Sequence, residues 1–223
     1  MSLAQILVLA DSAFPTGAFG HSFGLETAIV EGRAVDADGV QAWISAFLLD
    51  GLATLDAAAL VLAARDNCEI RSLDELVSAA IVADELRAAN GQLARATLAA
   101  YEAMRLRSPG IERYRIALEN GEDRGIHSLA CGLGYAAASV PWRDGLRAYL
   151  SSTASALVSV AVRAIPLGQR AGLDTLWKLR PVIEEAARRA ESIGSADDLR
   201  TQAFDCEIDA MRHAFLDGRM FVS

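Results

Sequence analysis

The sequence has 223 residues, enough for one domain with a single hydrophobic core. Its formal net charge of −8 argues against a general nucleic-acid-binding or membrane-surface protein, because such proteins present basic surfaces. Hydrophobic residues make up 52% of the chain, and alanine and leucine supply most of them. Aromatic residues make up only 6%. This composition favours helices.

The cysteines and the N-terminal sequence indicate a cytoplasmic protein. Cys68, Cys131 and Cys206 are widely separated and odd in number, so they suggest neither a disulfide framework nor a paired metal clip. Reduced, buried thiols are the expected state. The first residues lack a basic segment and a cleavage site, and no uncharged apolar run reaches the length of a membrane span.

The first 65 residues predict three helices separated by proline and glycine. A short helix over residues 3–10 ends before a break at Pro15. A second helix begins near residues 18–22 and ends at Gly32, a suitable C-terminal glycine. A third helix, capped by Asp36 or Asp38, extends to about residue 65.

The middle of the chain opens with a capping-box pattern, in which Glu75 follows Ser72 by three residues. The apolar stripe of this predicted helix continues through Gly91 toward a stop at residues 108–110. A glycine inside a helix costs about 1 kcal/mol relative to alanine. We therefore expect a bend or a close helix crossing at Gly91.

The remaining residues predict four or five further helices. A short amphipathic helix is followed by a helix rich in small residues over 125–140. The next helix begins at Pro141, and another covers residues 173–192 with a kink at Pro181. The last 25 or so residues form a short helix or a tail. With no strand pattern, repeat or linker, the sequence predicts an all-α, single-domain bundle of about eight to ten helices.

Sites for chemistry are weakly indicated. The glycines near the N-terminus lack phosphate-binding spacing. His21, His127 and His213 stand alone, without a second ligand one helical turn away. A hydrolytic site around Ser22 and Glu26 stays open as an alternative, although Ser22 equally suits a helix cap.

A docking surface is better indicated by the opening stretch, residues 11–26. In a helix that begins near residue 18, Phe19, Ser22, Phe23 and Glu26 share one face. Aromatic rings beside a charge suit a protein interface. The same stretch also contains Phe14, Pro15 and His21.

Four segments, in order along the chain, carry a family resemblance. They are ADSAFPTGAFGHSFGLE at residues 10–26, ELR at 85–87 with a following glycine, VRAIPLGQ at 162–169, and EIDAMRH at 207–213. Together these segments resemble the UreF family of urease accessory proteins. Three departures are an Asp-Ala pair where the family has Ala-Ser before Met-Arg-His, an altered end over residues 215–221, and Arg170 after Gln169.

The resemblance implies a helical, non-catalytic scaffold or chaperone that is usually dimeric in its complexes. Such a protein bridges UreD, also called UreH, to the GTPase UreG and supports GTP-dependent nickel insertion into apo-urease. Nickel would pass through the complex, with no cofactor bound stably. Two alternatives are a metallochaperone that binds nickel directly through one of its histidines and a helical interaction protein with another client.

The resemblance also assigns partner-binding regions within a single domain of residues 1–223. Residues 1–32 form a docking segment, in which Glu26 contributes to control of UreG. Residues 205–223, called the tail below, dock on UreD. No catalytic or metal-ligating residue is expected. The predicted partner-binding residues are Phe14, Pro15, Phe19, His21, Ser22, Glu26, Arg87, Gln169, Met211, Arg212 and His213.

Overall fold

The computed structural model describes residues 3–65 and 69–223, which contain twelve α-helices and no strand. The all-α prediction is confirmed, but the helix count exceeds the predicted range because three of the predicted helices are each divided in two. The helices are α1 (Leu3–Leu9), α2 (Leu25–Val30), α3 (Ala37–Ala46), α4 (Asp56–Ala64), α5 (Ile70–Ala80), α6 (Asp84–Ala103), α7 (Pro109–Asn120), α8 (His127–Ala137), α9 (Trp142–Ala164), α10 (Gln169–Lys178), α11 (Arg180–Ser192) and α12 (Phe204–His213).

The first division separates α3 from α4. Asp36 caps α3 by accepting from the Gly39 N–H, as predicted. After α3, a π-helical turn and a 3-10 turn occupy residues 47–54. The segment before α12 pairs with this break, because the Gln202 N–H donates to the Asp50 carbonyl at 2.8 Å. The prediction of one continuous helix is wrong because this distant segment supplies the hydrogen bonds that a regular helix would have made.

The second division separates α5 from α6. Here α5 begins at Ile70, so the predicted capping box at Ser72 does not form. The chain leaves helical geometry between the two helices, and the guanidinium of Arg87 donates to the carbonyls of Ile81 and Val82. Arg87 therefore satisfies backbone groups that the break exposes.

Proline and glycine act at two other predicted positions. Pro181 lies in the first turn of α11, so the predicted kink is a complete break after α10. Gly91 does lie in a close approach, but to a loop and not to a helix. A Cβ atom built on Gly125, which has a φ of +101°, would lie 3.0 Å from the Gly91 Cα. A side chain at Gly91 or Gly125 would therefore crowd the other segment.

The centre of the molecule is α4, whose residues 57–63 are all buried. Its side chains divide between two hydrophobic clusters, one with α3, α9 and α11 and the other with α5 to α8. The approach of α8 to α4 requires Gly132, since a Cβ there would lie 2.5 Å from the Leu60 carbonyl oxygen. The prediction of one domain stays a prediction, although α4 contributes to both clusters.

Over residues 3–65 and 69–223, no single helix is long and apolar enough to cross a bilayer. One bent pair, residues 37–54 with 56–64, meets the length and composition criteria together. Within the described part of the chain, Cys131 and Cys206 are free and buried, as expected, whereas Cys68 lies outside it.

Two aspartates, the partly buried Asp56 and the buried Asp123, make no described ion pair. Burial raises the pKa of Asp56, at the start of α4, to about 6. Burial, with the nearby Asp74 carboxylate, raises the pKa of Asp123 to about 6 as well. The folded state therefore favours the protonated form of each group, and stability associated with them is present at acid pH and lost as pH rises through about 6.

Replacing Asp56 with asparagine should stabilise the protein at neutral pH. At pH 7.5 we expect Asp56→Asn to raise the free energy of unfolding by about 1–2 kcal/mol, less than the full shift implies because the side chain keeps some contact with solvent. The difference between the two proteins should shrink as pH falls from about 6 toward 4. Urea unfolding at several pH values measures it, and a difference independent of pH would contradict the assignment.

Candidate functional site

The opening stretch and the tail, which the sequence assigns to separate docking regions, pair with each other. The Val222 N–H donates to the Gly20 carbonyl at 2.8 Å, and the Phe23 N–H donates to the Ser223 carbonyl at 3.1 Å. The buried Ser22 hydroxyl donates to that same Ser223 oxygen at 2.7 Å. Ser22 therefore holds the tail and does not cap a helix. We call the combined region the joined site.

Glycine at position 24 permits this pairing. Gly24 has a φ of +96°, which glycine adopts without strain. A Cβ atom at this position would also lie 2.6 Å from the Ala210 backbone nitrogen. The turn before α2 and the close seating of α12 thus both depend on a missing side chain. These two constraints explain why the third glycine of the opening stretch is a glycine.

Glu26 lies in the first turn of α2 and is buried beneath the tail. One carboxylate oxygen accepts the Met220 N–H at 2.7 Å, and the other accepts the Phe221 N–H at 3.2 Å. The second oxygen also lies 2.9 Å from Nε2 of His213. Glu26 therefore organises the backbone of the tail from below.

His213 connects Glu26 to α6. Its ring is fully buried, and its Nδ1 lies 2.8 Å from a carboxylate oxygen of Glu85, which also pairs with Arg219. Glu26, His213, Glu85 and Arg219 therefore form a four-residue hydrogen-bonded network that ties α2, α6 and the tail together. Glu26 and His213 are its buried members, whereas Glu85 and Arg219 are partly exposed.

Asp209 makes a second attachment of α12. Its buried carboxylate accepts from the Trp43 indole N–H at 2.8 Å and pairs with the Arg33 guanidinium. Its backbone carbonyl accepts from the Thr27 hydroxyl at 2.8 Å. Asp209 is one of the residues at which this sequence departs from the family motif. The departure has a structural role, because it fixes α12 to α2 and α3.

The aromatic part of the opening stretch lies beside the joined site. Phe14 is partly buried, with its ring centroid 6.0 Å from that of Tyr101. Pro15 is exposed. Phe19 is 64% exposed, and its carbonyl accepts from the Arg163 guanidinium at 2.6 Å. Phe19 is therefore the ring of this stretch that is most available to a partner.

Other predicted partner-binding residues are more dispersed. Met211 and Arg212 lie on the exposed side of α12, and Arg212 pairs with Glu31 at 3.3 Å. Gln169 is exposed at the start of α10. Arg87 is exposed at the start of α6, two residues from Glu85. Partner binding by all the predicted residues stays a prediction, and Glu26 and His213 are covered by the chain itself.

The remaining histidines lie in surroundings that favour the neutral ring. Burial lowers the pKa of His21, whose Nδ1 lies 2.9 Å from the Ser223 hydroxyl oxygen. Burial also lowers the pKa of His127 to about 4, and its Nε2 lies 3.4 Å from the Cys131 sulfur. Within residues 3–65 and 69–223, no three His, Cys, Asp or Glu side chains converge in a way that could hold a metal ion.

Sequence reasoning missed several residues that build the joined site. Glu85 belongs to the recognised ELR segment, but nothing local indicates that it contacts His213. Arg219 lies in the end segment, residues 215–221, that departs from the family pattern, and Ser223 follows that segment. In the sequence, Asp209 is marked only by its difference from the family motif. An acidic residue next to Ala210 and Met211 on a predicted helix is the one sequence feature that indicates a buried, paired carboxylate.

Comparison with known proteins decides the family. A model described as UreF matches residues 34–180, about two thirds of the sequence. The chain belongs to the UreF family. Urease accessory protein UreF of Arthrobacter sp. (strain FB24) is 35% identical, over 96% of this chain and 94% of the relative. UreF of Cereibacter sphaeroides (strain ATCC 17029 / ATH 2.4.9) is 37% identical, over 99% of this chain and 97% of the relative.

A third relative supports the same assignment. Urease accessory protein UreF of Corynebacterium glutamicum (strain R) is 33% identical, over 98% of this chain and 96% of the relative. These similarities cover nearly the whole chain, well beyond the span of the family model. The UreF name describes an accessory factor of urease and not urease itself. The features of interest in this UreF family member are therefore the surfaces that it could present to other proteins.

Replacing Glu26 should release the tail. Glu26→Ala leaves two backbone N–H groups and His213 without their acceptor, so we expect the local opening free energy of residues 213–221 to fall by about 2–4 kcal/mol. Hydrogen exchange of the Met220 and Phe221 amides measures the change. Glu31→Ala is the matched control, because its exposed ion pairs contribute little. Equal exchange in both variants would contradict the role assigned to Glu26.

Proposed function

We propose that this protein is a non-catalytic scaffold that bridges UreD to the GTPase UreG and supports GTP-dependent nickel insertion into apo-urease. Membership of the UreF family supports an accessory role in urease maturation. In this proposal the protein acts in the cytoplasm, as a single domain and as a homodimer within the complex. Nickel passes through the assembly without a stable site on this chain.

The observation that carries the docking role is an apolar stripe on α12. Phe204, Ile208 and Met211 recur at intervals of four and three residues, so they lie on one face of the helix, and Phe215 follows four residues later in the turn after α12. All four are exposed, from 40% for Ile208 to 86% for Phe215. We call them the α12 stripe.

The α12 stripe lies opposite the face that the helix buries. The buried residues of α12 are Cys206, Asp209, Ala210 and His213, and they pack toward α2 and α6. Two aromatic rings, a methionine and an isoleucine on the outer face match the composition of protein interfaces. This arrangement supports docking of UreD on the α12 stripe, while the body of the chain holds the helix in place.

UreG is proposed to contact the neighbouring surface of the opening stretch. Phe19 is exposed there, and Glu26 lies beneath the tail, where it contacts His213. In this proposal Glu26 and His213 act by positioning the tail, Phe19 contacts UreG, and Met211 and Arg212 contact UreD. One surface then accommodates both partners side by side, as bridging requires.

Reconstitution tests the function as a whole. Apo-urease is incubated with nickel, bicarbonate, GTP, UreD and UreG, with and without this protein. We expect urease activation to depend on its addition. Activation that is equal without it would refute the proposal, and nickel retained by the isolated chain in equilibrium dialysis would favour the directly nickel-binding alternative.

The α12 stripe can be tested by a double substitution. Phe204→Ser with Phe215→Ser removes two mostly exposed rings, so helicity and thermal stability should be unchanged. We expect UreD affinity to fall by about 2 kcal/mol or more, as for aromatic hot spots. Leu173→Ser, at a leucine on α10 that is 69% exposed, is the matched control. Wild-type affinity in the double variant would exclude the stripe as the UreD contact.

A further inference from the structure

A partly open cavity lies where three irregular segments meet. It is bounded by the turn after α3, by residues 80–83 between α5 and α6, and by α12 with the segment before it. Its empty space is about 510 Å³, including the open mouth. Most of the lining is apolar, with Phe23, Phe47 and Leu86 among its walls. None of the functions described above uses it.

The charged groups in the described lining of the cavity are both acidic. They are Asp56, at the start of α4, and Glu207, on α12, and no lysine or arginine lines the cavity among the described residues. Asp56 accepts a hydrogen bond from Ser128 at 3.3 Å, and Glu207 accepts one from Thr201. Neither carboxylate makes a described ion pair within the chain.

The surroundings of the cavity are also acidic. The thiol of Cys206, another lining residue, has its pKa raised to about 12, first by burial and then by the Asp209, Asp205, Asp50 and Glu207 carboxylates. Of these carboxylates, Asp209 pairs with Arg33 and Asp50 pairs with Arg189. The carboxylates that line the cavity itself, Asp56 and Glu207, are therefore the ones left without a described ion pair beside apolar walls.

The cavity adjoins the α12 stripe. By helical position, Glu207 lies between the cavity-lining Ala210 and the stripe residue Met211 around the axis of α12. A protein that covers the stripe therefore reaches the mouth of the cavity. A second copy of this chain is a poor occupant, since its net charge is also negative.

We propose that this cavity receives a lysine or arginine side chain from the partner that covers the α12 stripe. The apolar walls pack against the methylene groups of such a side chain, and the Asp56 and Glu207 carboxylates pair with its charged end. No other protein side chain combines a long apolar stem with a positive head group. This inference rests on the proposed function, because it assumes that a partner docks on the stripe.

The test measures affinity for UreD in wild-type protein and in three variants. Asp56→Asn keeps the shape of the side chain and removes its charge, so we expect UreD to bind at least about tenfold more weakly. Asp123→Asn is the matched control, because Asp123 is likewise a buried aspartate with a raised pKa but lines a different cavity. It should bind UreD with wild-type affinity. Circular dichroism and thermal melting establish that each variant is folded.

A second variant fills the cavity without changing its charge. Ala80→Phe places a ring at a partly exposed lining residue and should also weaken UreD binding about tenfold. Wild-type affinity in both Asp56→Asn and Ala80→Phe would overturn the inference. If those variants bind normally while the stripe variant does not, the docking proposal survives alone. If wild-type protein does not bind UreD at all, the proposed function fails first.

Discussion

The placement of one imidazole ring between two carboxylates holds the candidate functional region together. His213 contacts Glu26 on α2 and Glu85 on α6, and Arg219 pairs with Glu85. A buried polar group is costly unless it is hydrogen-bonded, so removing Glu26 or His213 leaves the other buried side chain without its partner. The network therefore fixes the position and orientation of α12. That orientation determines which residues of α12 are exposed.

The breaks in the helices follow from the same packing. The turn after α3 opens where the segment before α12 pairs with it, and Gly51 accommodates that segment, since a Cβ there would lie 3.1 Å from the Ala203 Cβ. The break after α5 forms the opposite wall. Because irregular backbone on three sides meets α12, a cavity remains that regular helices would have filled. The breaks in the helices thus create the cavity whose lining includes the Asp56 and Glu207 carboxylates.

The sequence predicted the helical class, most helix positions and membership of the UreF family. These depend on local spacing, as in the Asp36 cap and the apolar stripe of α9. It could not predict the breaks, because the hydrogen bonds that stabilise them come from distant residues. It named Glu26 and His213 separately, yet gave no means of joining them. Their contact depends on the packing of α2, α6 and α12, which no local pattern encodes.

The hydrogen bond between Glu26 and His213 joins residues 187 positions apart. During synthesis at about 5–20 residues per second, Glu26 therefore waits roughly ten seconds or more before its partner exists. A buried carboxylate cannot remain in an apolar interior over that time without its hydrogen bonds, so α2 stays hydrated until α12 arrives. The joined site therefore cannot form until α12 and the residues after it have been synthesised.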